Sequence, residues 1–137
     1  MNKQEAERVA FELAKKNHHY VIGTINQDGY PDLSVLIKLK HNGIKEFYFS
    51  TNEETDKIEN IKHNPNGCIY CFDPFEYTGL TFFGKFQIIE QVHNHVEFSE
   101  DIFPEGLNSK NYVLLKFIPK KVKVYHLLNK VWIDDIK

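Results

Sequence analysis

Cysteine is scarce in this sequence of 137 residues, which contains only Cys68 and Cys71. Small secreted domains usually depend on several disulfide bonds, so a single pair within one predicted strand argues against a disulfide scaffold. Residues 1–5 carry charge and lack the apolar stretch of a secretory signal. We therefore expect a protein of the reducing cytoplasm.

Long apolar runs and an excess of one charge are also missing. The mean hydropathy is -0.45, and no stretch is long and apolar enough to predict a membrane span. The net charge of -2 gives no general attraction to nucleic acid. Stacking on single-stranded nucleic acid stays open only through Lys38, Lys40 and Lys45 near Tyr48, and we predict neither a nucleic-acid nor a membrane partner.

Aromatic side chains, by contrast, are plentiful. They make up 14% of the residues, with eleven Phe and seven Tyr, and such side chains favour strands because they fit a pleated, half-buried surface. The length suits one domain, residues 1–137.

The chain begins with a helical pattern. Ala6, Val9, Ala10, Leu13 and Ala14 recur at helical spacing among charged residues, which predicts an amphipathic N-terminal helix. Asn2 is its candidate N-cap. Ile58 and Ile61 predict a short second helix that ends before Pro65, with Thr51, Asn52 or Thr55 as its cap.

Most of the remaining sequence has strand character. The predicted strands cover residues 20–25, 33–39, 45–51, 67–72, 80–89, 112–118 and 122–126, with a bulge or bend at Gly84 and a break at Pro119. Residues 91–110 are mixed and predict one short helix before Pro104. The pattern favours a mainly β fold with flanking helices, a six- to seven-stranded antiparallel barrel.

A candidate anion site lies where the third strand meets the second helix. Residues 47–57 bring a strand end, the hydroxyls of Ser50 and Thr51, and Lys57 within a few positions of a helix start. Hydroxyls, helix amides and a lysine together suit a phosphate. The alternative is that Thr51 or Thr55 caps the helix and Lys57 is a solvated charge.

Metal chemistry has little support. Cys68 and Cys71 lie three positions apart on a strand, where they face opposite sides. Two neighbouring histidines, as in His18-His19, do not converge on one ion without further ligands. We predict no metal site, and no motif of acid–base or nucleophilic catalysis is visible.

One ordered set of motifs resembles a known family. Gly23-Thr24-Ile25, Asp28-Gly29-Tyr30-Pro31, Phe49-Ser50-Thr51, Lys57 with Ile61, Asn64-Pro65 and Phe83-Gly84-Lys85 follow one another across residues 20–89. This order is similar to that of the FMN-binding split-barrel family, the relatives of pyridoxamine 5'-phosphate oxidase and general stress protein 26. The resemblance implies a split barrel and FMN as cofactor.

The resemblance also implies a set of cofactor-binding residues. Ser50, Thr51 and Lys57 correspond to contacts with the phosphate and ribityl chain, and Ser34, Val35 and Leu36 to the lining of the ring, with charge added by Lys38 or Lys40. Tyr77, Thr78 and Gly79 correspond to a segment that reaches the flavin of the other subunit. For Trp132 near the C-terminus three roles stay open: it stacks on the flavin, it packs into the partner subunit, or it covers the barrel mouth.

Two positions depart from the family pattern. Many relatives carry basic residues near Ser34 and at Asp56, where this chain offers a hydroxyl and an acid. An acid beside a phosphate lowers affinity by repulsion, so weak FMN binding or a different flavin follows. The basic C-terminal clamp of the vitamin-oxidising members has no match in residues 122–137, so we expect no true pyridoxamine 5'-phosphate oxidase activity.

The resemblance therefore implies an FMN-dependent oxidoreductase that acts on a small molecule or takes electrons from a nicotinamide donor. Because one small barrel offers too little wall to enclose FMN, we expect a homodimer with two interface sites. The alternative is a non-catalytic module that binds or senses a flavin, haem or deazaflavin.

Overall fold

The computed structural model describes residues 1–89 and 111–136. It contains two helices and seven strands: α1 (Lys3–Lys16), β1 (His19–Ile25), β2 (Pro31–Asn42), β3 (Glu46–Asn52), α2 (Asp56–His63), β4 (Asn66–Asp73), β5 (Thr78–Ile89), β6 (Tyr112–His126) and β7 (Asn129–Ile133). The predicted helix within residues 91–110 lies outside the described residues.

Six of the strands form a closed antiparallel barrel. Their order is β3-β2-β1-β4-β5-β6, and the pairing of β3 with β6 joins the two ends, while β7 extends the sheet beyond β6. Closure removes the unpaired backbone groups that a sheet edge would expose. The predicted split barrel and its N-terminal helix are confirmed.

Aromatic rings fill the interior. Phe47 on β3 is fully buried, and its ring centre lies 4.9 Å from that of Phe82 and 5.6 Å from that of Tyr20. Inward and outward side chains alternate on β3, as the period of a strand requires. The barrel interior is therefore a packed core.

The last part of the barrel corrects two sequence predictions. Residues 112–126 form one continuous strand and not two, because Pro119 lies opposite Gly84 where the register shifts and a missing N–H is tolerated. A Cβ at Gly84 would collide with the backbone of Ile118, which explains the glycine at this bulge. Strand β7 was not predicted, since the turn before it is Leu127-Leu128, with Leu127 at a φ of 55°.

Helix α1 packs across one end of the barrel and is capped at both ends. Asn2 accepts a hydrogen bond from the amide of Glu5 at 2.8 Å, as predicted. At the other end, the carbonyl oxygen of Ala14 accepts hydrogen bonds from Tyr20 Oη and Lys38 Nζ, each at 2.7 Å. A buried cation near a helix C-terminus is favourable because the exposed carbonyls carry partial negative charge.

Within the described ranges, neither helix is long and apolar enough to cross a membrane.

Removal of the Phe47 ring should expose how much the fold depends on the aromatic core. We expect Phe47→Ala to lower the free energy of unfolding by about 3–5 kcal/mol, as for other buried rings. Phe75, which is 92% exposed, provides the matched control, and Phe75→Ala should change stability by less than about 0.5 kcal/mol. Urea unfolding measures both, and equal losses would contradict the assigned core.

The buried thiol of Cys71, beneath α1, should make the free energy of unfolding fall at alkaline pH. Burial raises the pKa of Cys71 to about 12, against a smaller lowering by Tyr20 and by the charge of Lys38. Above pH 9 the unfolded chain loses this proton and the folded chain keeps it, so the stability contribution present below pH 9 is lost as pH rises towards 12.

Comparison with Cys71→Ala isolates this contribution from those of other groups. Between pH 9 and 11, the wild type should lose about 1 kcal/mol per pH unit more than the variant in urea unfolding. Parallel stability curves for the two proteins would show that Cys71 ionises normally in the folded state.

Candidate functional site

A polar pocket of about 390 Å³ lies where α2 begins beside β2. We call it the Lys57 pocket; it is lined by Asp32, Ser34, Glu54, Thr55, Asp56 and Lys57. Strand β2 contributes Asp32 and Ser34, which are alternate residues and share one side of the strand. The first residues of α2 and the turn before it contribute the other four. Of the predicted anion site, the helix start therefore lines this pocket, and the end of β3 contacts it through the bond between Thr51 and Lys57.

Lys57 is partly buried and reaches back to the end of β3. Its Nζ donates a hydrogen bond to Thr51 Oγ1 at 3.3 Å, and Thr51 is only 4% exposed. Burial lowers the pKa of Lys57, while the charges of Asp32 and Asp56 raise it in part. The amine is therefore held among hydroxyl and carboxylate oxygens at the pocket wall.

The buried side-chain amide of Asn60 holds Asp32 at the pocket wall. Asn60 on α2 is 5% exposed, and its Nδ2 donates to Thr24 Oγ1 at 3.0 Å and to Asp32 Oδ2 at 3.1 Å. These bonds tie α2 to β1 and β2 together, and they orient the carboxylate of Asp32. The sequence does not indicate this link, because no motif joins residues 28 positions apart.

The opposite side of β2 is apolar and exposed. Leu33, Val35 and Ile37 are 64%, 61% and 58% exposed. Strand pairing places Val35 in line with Val21, and Val21 in line with Tyr70. We call this surface the outer face; its large exposed side chains are those of Leu33, Val35, Ile37, Tyr70, Phe72, Tyr125 and Trp132.

Two grooves run over the outer face. One, of about 720 Å³, includes Gly23, Leu33, Cys68 and Phe83 in its lining. The second, of about 570 Å³, includes Tyr70, Phe72, Tyr77 and Gly79. Both are open and mainly apolar, which is typical of a surface that another molecule covers.

The structure brings some of the predicted site residues together. Ser34 and Lys57 line the same pocket, and Thr51 contacts Lys57. Ser50 neighbours Thr51 on β3, opposite Leu114 of β6. Val35 lies on the outer face, whereas Leu36 is partly buried and packs against the core.

Other predicted residues lie apart from the Lys57 pocket. Lys38 is 8% exposed and its amine bonds to Ala14, so its charge is used at the end of α1. Tyr77 and Gly79 line the second groove, while Thr78 Oγ1 lies 2.6 Å from His126 Nδ1. Trp132 lies on β7 with its ring 5.7 Å from that of Phe83 and with Lys121 Nζ 4.9 Å from its centre.

In the part of the chain that the structure describes, no group of three or more His, Cys, Asp or Glu side chains is placed to hold a metal ion. Cys68 is partly buried and Cys71 is buried, and both are free thiols.

A closed six-stranded antiparallel barrel with a polar pocket between β2 and α2 defines a split-barrel fold. The family model described as pyridoxamine 5'-phosphate oxidase matches residues 6–126. The chain belongs to that family. No protein with a curated description matches it.

Solved structures agree with this assignment. A Clostridium acetobutylicum protein related to general stress protein 26 of B. subtilis is 26% identical, with a TM-score of 0.86 over 97% of this chain and 96% of that one. A Nostoc punctiforme protein described as pyridoxamine 5'-phosphate oxidase-related and FMN-binding is 14% identical, with a TM-score of 0.69 over 96% and 89%. A haem-binding protein from Mycobacterium smegmatis is 11% identical, with a TM-score of 0.75 over 98% of this chain and 60% of that one.

The residues of the Lys57 pocket fit one part of a flavin better than another. The hydroxyls of Ser34 and Thr55 and the amine of Lys57 suit the hydroxyl-bearing ribityl chain. The carboxylates of Asp32, Glu54 and Asp56 line the same pocket and repel an anion. The pocket therefore fits the ribityl chain and does not fit a phosphate dianion.

Proposed function

We propose that this chain binds a flavin and works as a flavin-dependent oxidoreductase on a small molecule. FMN is the form that the Nostoc relative binds by its description. The observation that carries the proposal is the Lys57–Thr51 contact beside Ser34 on β2, in a chain of this family. Those residues match the positions that the family resemblance assigns to the cofactor.

The protein's part in the reaction is to bind and orient. Lys57 and Ser34 would donate hydrogen bonds to oxygen atoms of the ribityl chain, while β2 would offer backbone groups and the apolar side chain of Val35 to the ring. When bound, the flavin supplies the transfer of hydride or electrons. The other reactant would be a small substrate or a nicotinamide donor.

We also propose that two copies assemble through their outer faces. Three alternate residues of β2 are more than half exposed although they are Leu, Val and Ile, and a patch of this kind on a small protein marks an interaction site. A two-fold pair would bury this patch on both copies and supply the wall that the ring lacks in one copy.

The unpaired thiols of Cys68 and Cys71 suit the cytoplasm.

The second candidate is a module that binds a flavin, deazaflavin or haem without turnover. The fold shared with a haem-binding protein favours it, as does the aromatic groove around Tyr70, Phe72 and Tyr77. An absorption spectrum of the purified protein separates flavin from haem. Bound flavin that NADH and NADPH both fail to reduce would favour the module over the oxidoreductase.

Removal of the donors at the pocket should weaken flavin binding. Lys57→Ala combined with Thr51→Val deletes the amine and its hydroxyl partner, so we expect a dissociation constant at least about tenfold higher for flavin, equal to the loss of one or two hydrogen bonds. Fluorescence titration with FMN and with riboflavin measures it. Lys62→Ala, which changes an exposed lysine of the same helix, is the matched control, and equal binding by all three proteins would place the flavin elsewhere.

A charge on the outer face should prevent assembly. Ile37→Glu places a carboxylate within the proposed interface, where burial without a partner is costly, so we expect a monomer in sedimentation velocity and weaker flavin binding. Phe11→Glu makes the same change on α1 at a residue that is 45% exposed and should leave a dimer. A dimer in both variants would contradict assembly through this face.

A further inference from the structure

The Lys57 pocket has an unusual charge for a phosphate site. Among the described residues that line it, three are acids, Asp32, Glu54 and Asp56, and one is a cation, Lys57. At neutral pH the carboxylates exceed the amine by two charges. A phosphate dianion placed here would gain one ion pair and face three like charges.

The position of Asp32 is fixed by the fold. Its Oδ2 accepts a hydrogen bond from the buried amide of Asn60, which is also bonded to Thr24. Rotation of Asp32 away from a ligand would leave a buried N–H of Asn60 without this acceptor, which is unfavourable. The carboxylate of Asp32 is therefore held at the wall of the pocket.

The two other acids are held at the start of α2. The amide of Glu54 donates to Asn52 Oδ1 at 2.9 Å, and Thr55 Oγ1 donates to the carbonyl of Asn52 at 2.9 Å. These bonds shape the turn that presents Glu54 and Asp56 on either side of Thr55. Asp56 also interacts electrostatically with Lys57, so it competes with any anion for that amine.

Among the described residues, no arginine lines the Lys57 pocket. The single arginine of the chain is Arg8, which lies on α1 and pairs with Glu12 at 3.1 Å. A guanidinium is the group best suited to bidentate binding of phosphate. The buried amine of Lys38 is bonded to Ala14 and does not line the pocket.

An uncharged hydroxyl fits these surroundings better than a phosphate does. A hydroxyl group donates to a carboxylate and also accepts from an amine, whereas a phosphate dianion only accepts. Asp32 and Asp56 would thus bind a terminal hydroxyl and repel a terminal phosphate.

We propose that the Lys57 pocket selects a flavin with an uncharged tail, so that riboflavin binds more tightly than FMN, with Asp32 and Asp56 as the residues that determine this specificity. The inference rests on the proposed flavin-binding function.

The test is a pair of fluorescence titrations of the full chain, one with riboflavin and one with FMN. We expect riboflavin to bind about tenfold more tightly, and the difference to shrink at high salt because salt screens the repulsion. Asp56→Asn should strengthen FMN binding about fivefold and leave riboflavin binding within about twofold. Glu59→Gln removes the same charge from the same helix but outside the pocket, and should change neither.

A second variant, on β2, separates the loss of a pocket charge from any change in the stability of α2. Asp32→Asn keeps an acceptor for Asn60, and it should also shift the preference towards FMN. Equal or tighter binding of FMN by the wild type, unaltered in both variants, would overturn the inference and leave the proposed function standing. Failure of both flavins to bind the wild type would contradict the proposed function itself.

Discussion

The pairing of residues 47–52 of β3 with residues 112–117 of β6 closes six antiparallel strands into a barrel, and β7 continues the sheet beyond it. This closure determines the geometry of the candidate site as well as that of the core. It holds Thr51 in register beside Val113 at the end of β3, and Thr51 is the partner that positions Lys57. The site therefore depends on hydrogen bonds between strands whose paired residues lie 60 or more positions apart in the sequence.

The same alternation of side chains produces both the core and the outer face. On β2, Asp32, Ser34 and Leu36 point towards the pocket and core, while Leu33, Val35 and Ile37 point outwards. One strand thus supplies the polar wall of the Lys57 pocket and the apolar surface that we propose for assembly. A flavin lying along β2 would contact both environments, with its tail in the first and its ring beside the second.

Local pattern sufficed to predict the helices and most of the barrel. The spacing of Ala6, Ala10 and Leu13 predicts α1, and Gly84 predicts the bulge that the register shift confirms. The break at Pro119 and the missing β7 were errors of local reasoning, because a bulge tolerates the proline and pairing with β6 stabilises a short segment with weak strand signals. Lys57 and Thr51 were recognisable because they lie six positions apart around one strand–helix junction.

Contacts between residues far apart in the chain could not be predicted from the sequence. The bond between Asn60 and Asp32 and the use of Lys38 by α1 depend on how distant elements pack. A register irregularity between Lys38 and Lys40 also breaks the simple alternation along β2, so strand position alone could not assign Lys38. The sequence shows the three acidic residues, but only the fold shows that they line one pocket together with the amine of Lys57.

Sedimentation velocity of the full chain with flavin, recorded at the visible absorbance of the flavin, tests whether a second copy completes the flavin site. We expect one boundary of dimer size that carries about one flavin per chain. Flavin that stays at the rate of the free ligand, or that moves with a monomer, would contradict a flavin site completed by a second copy.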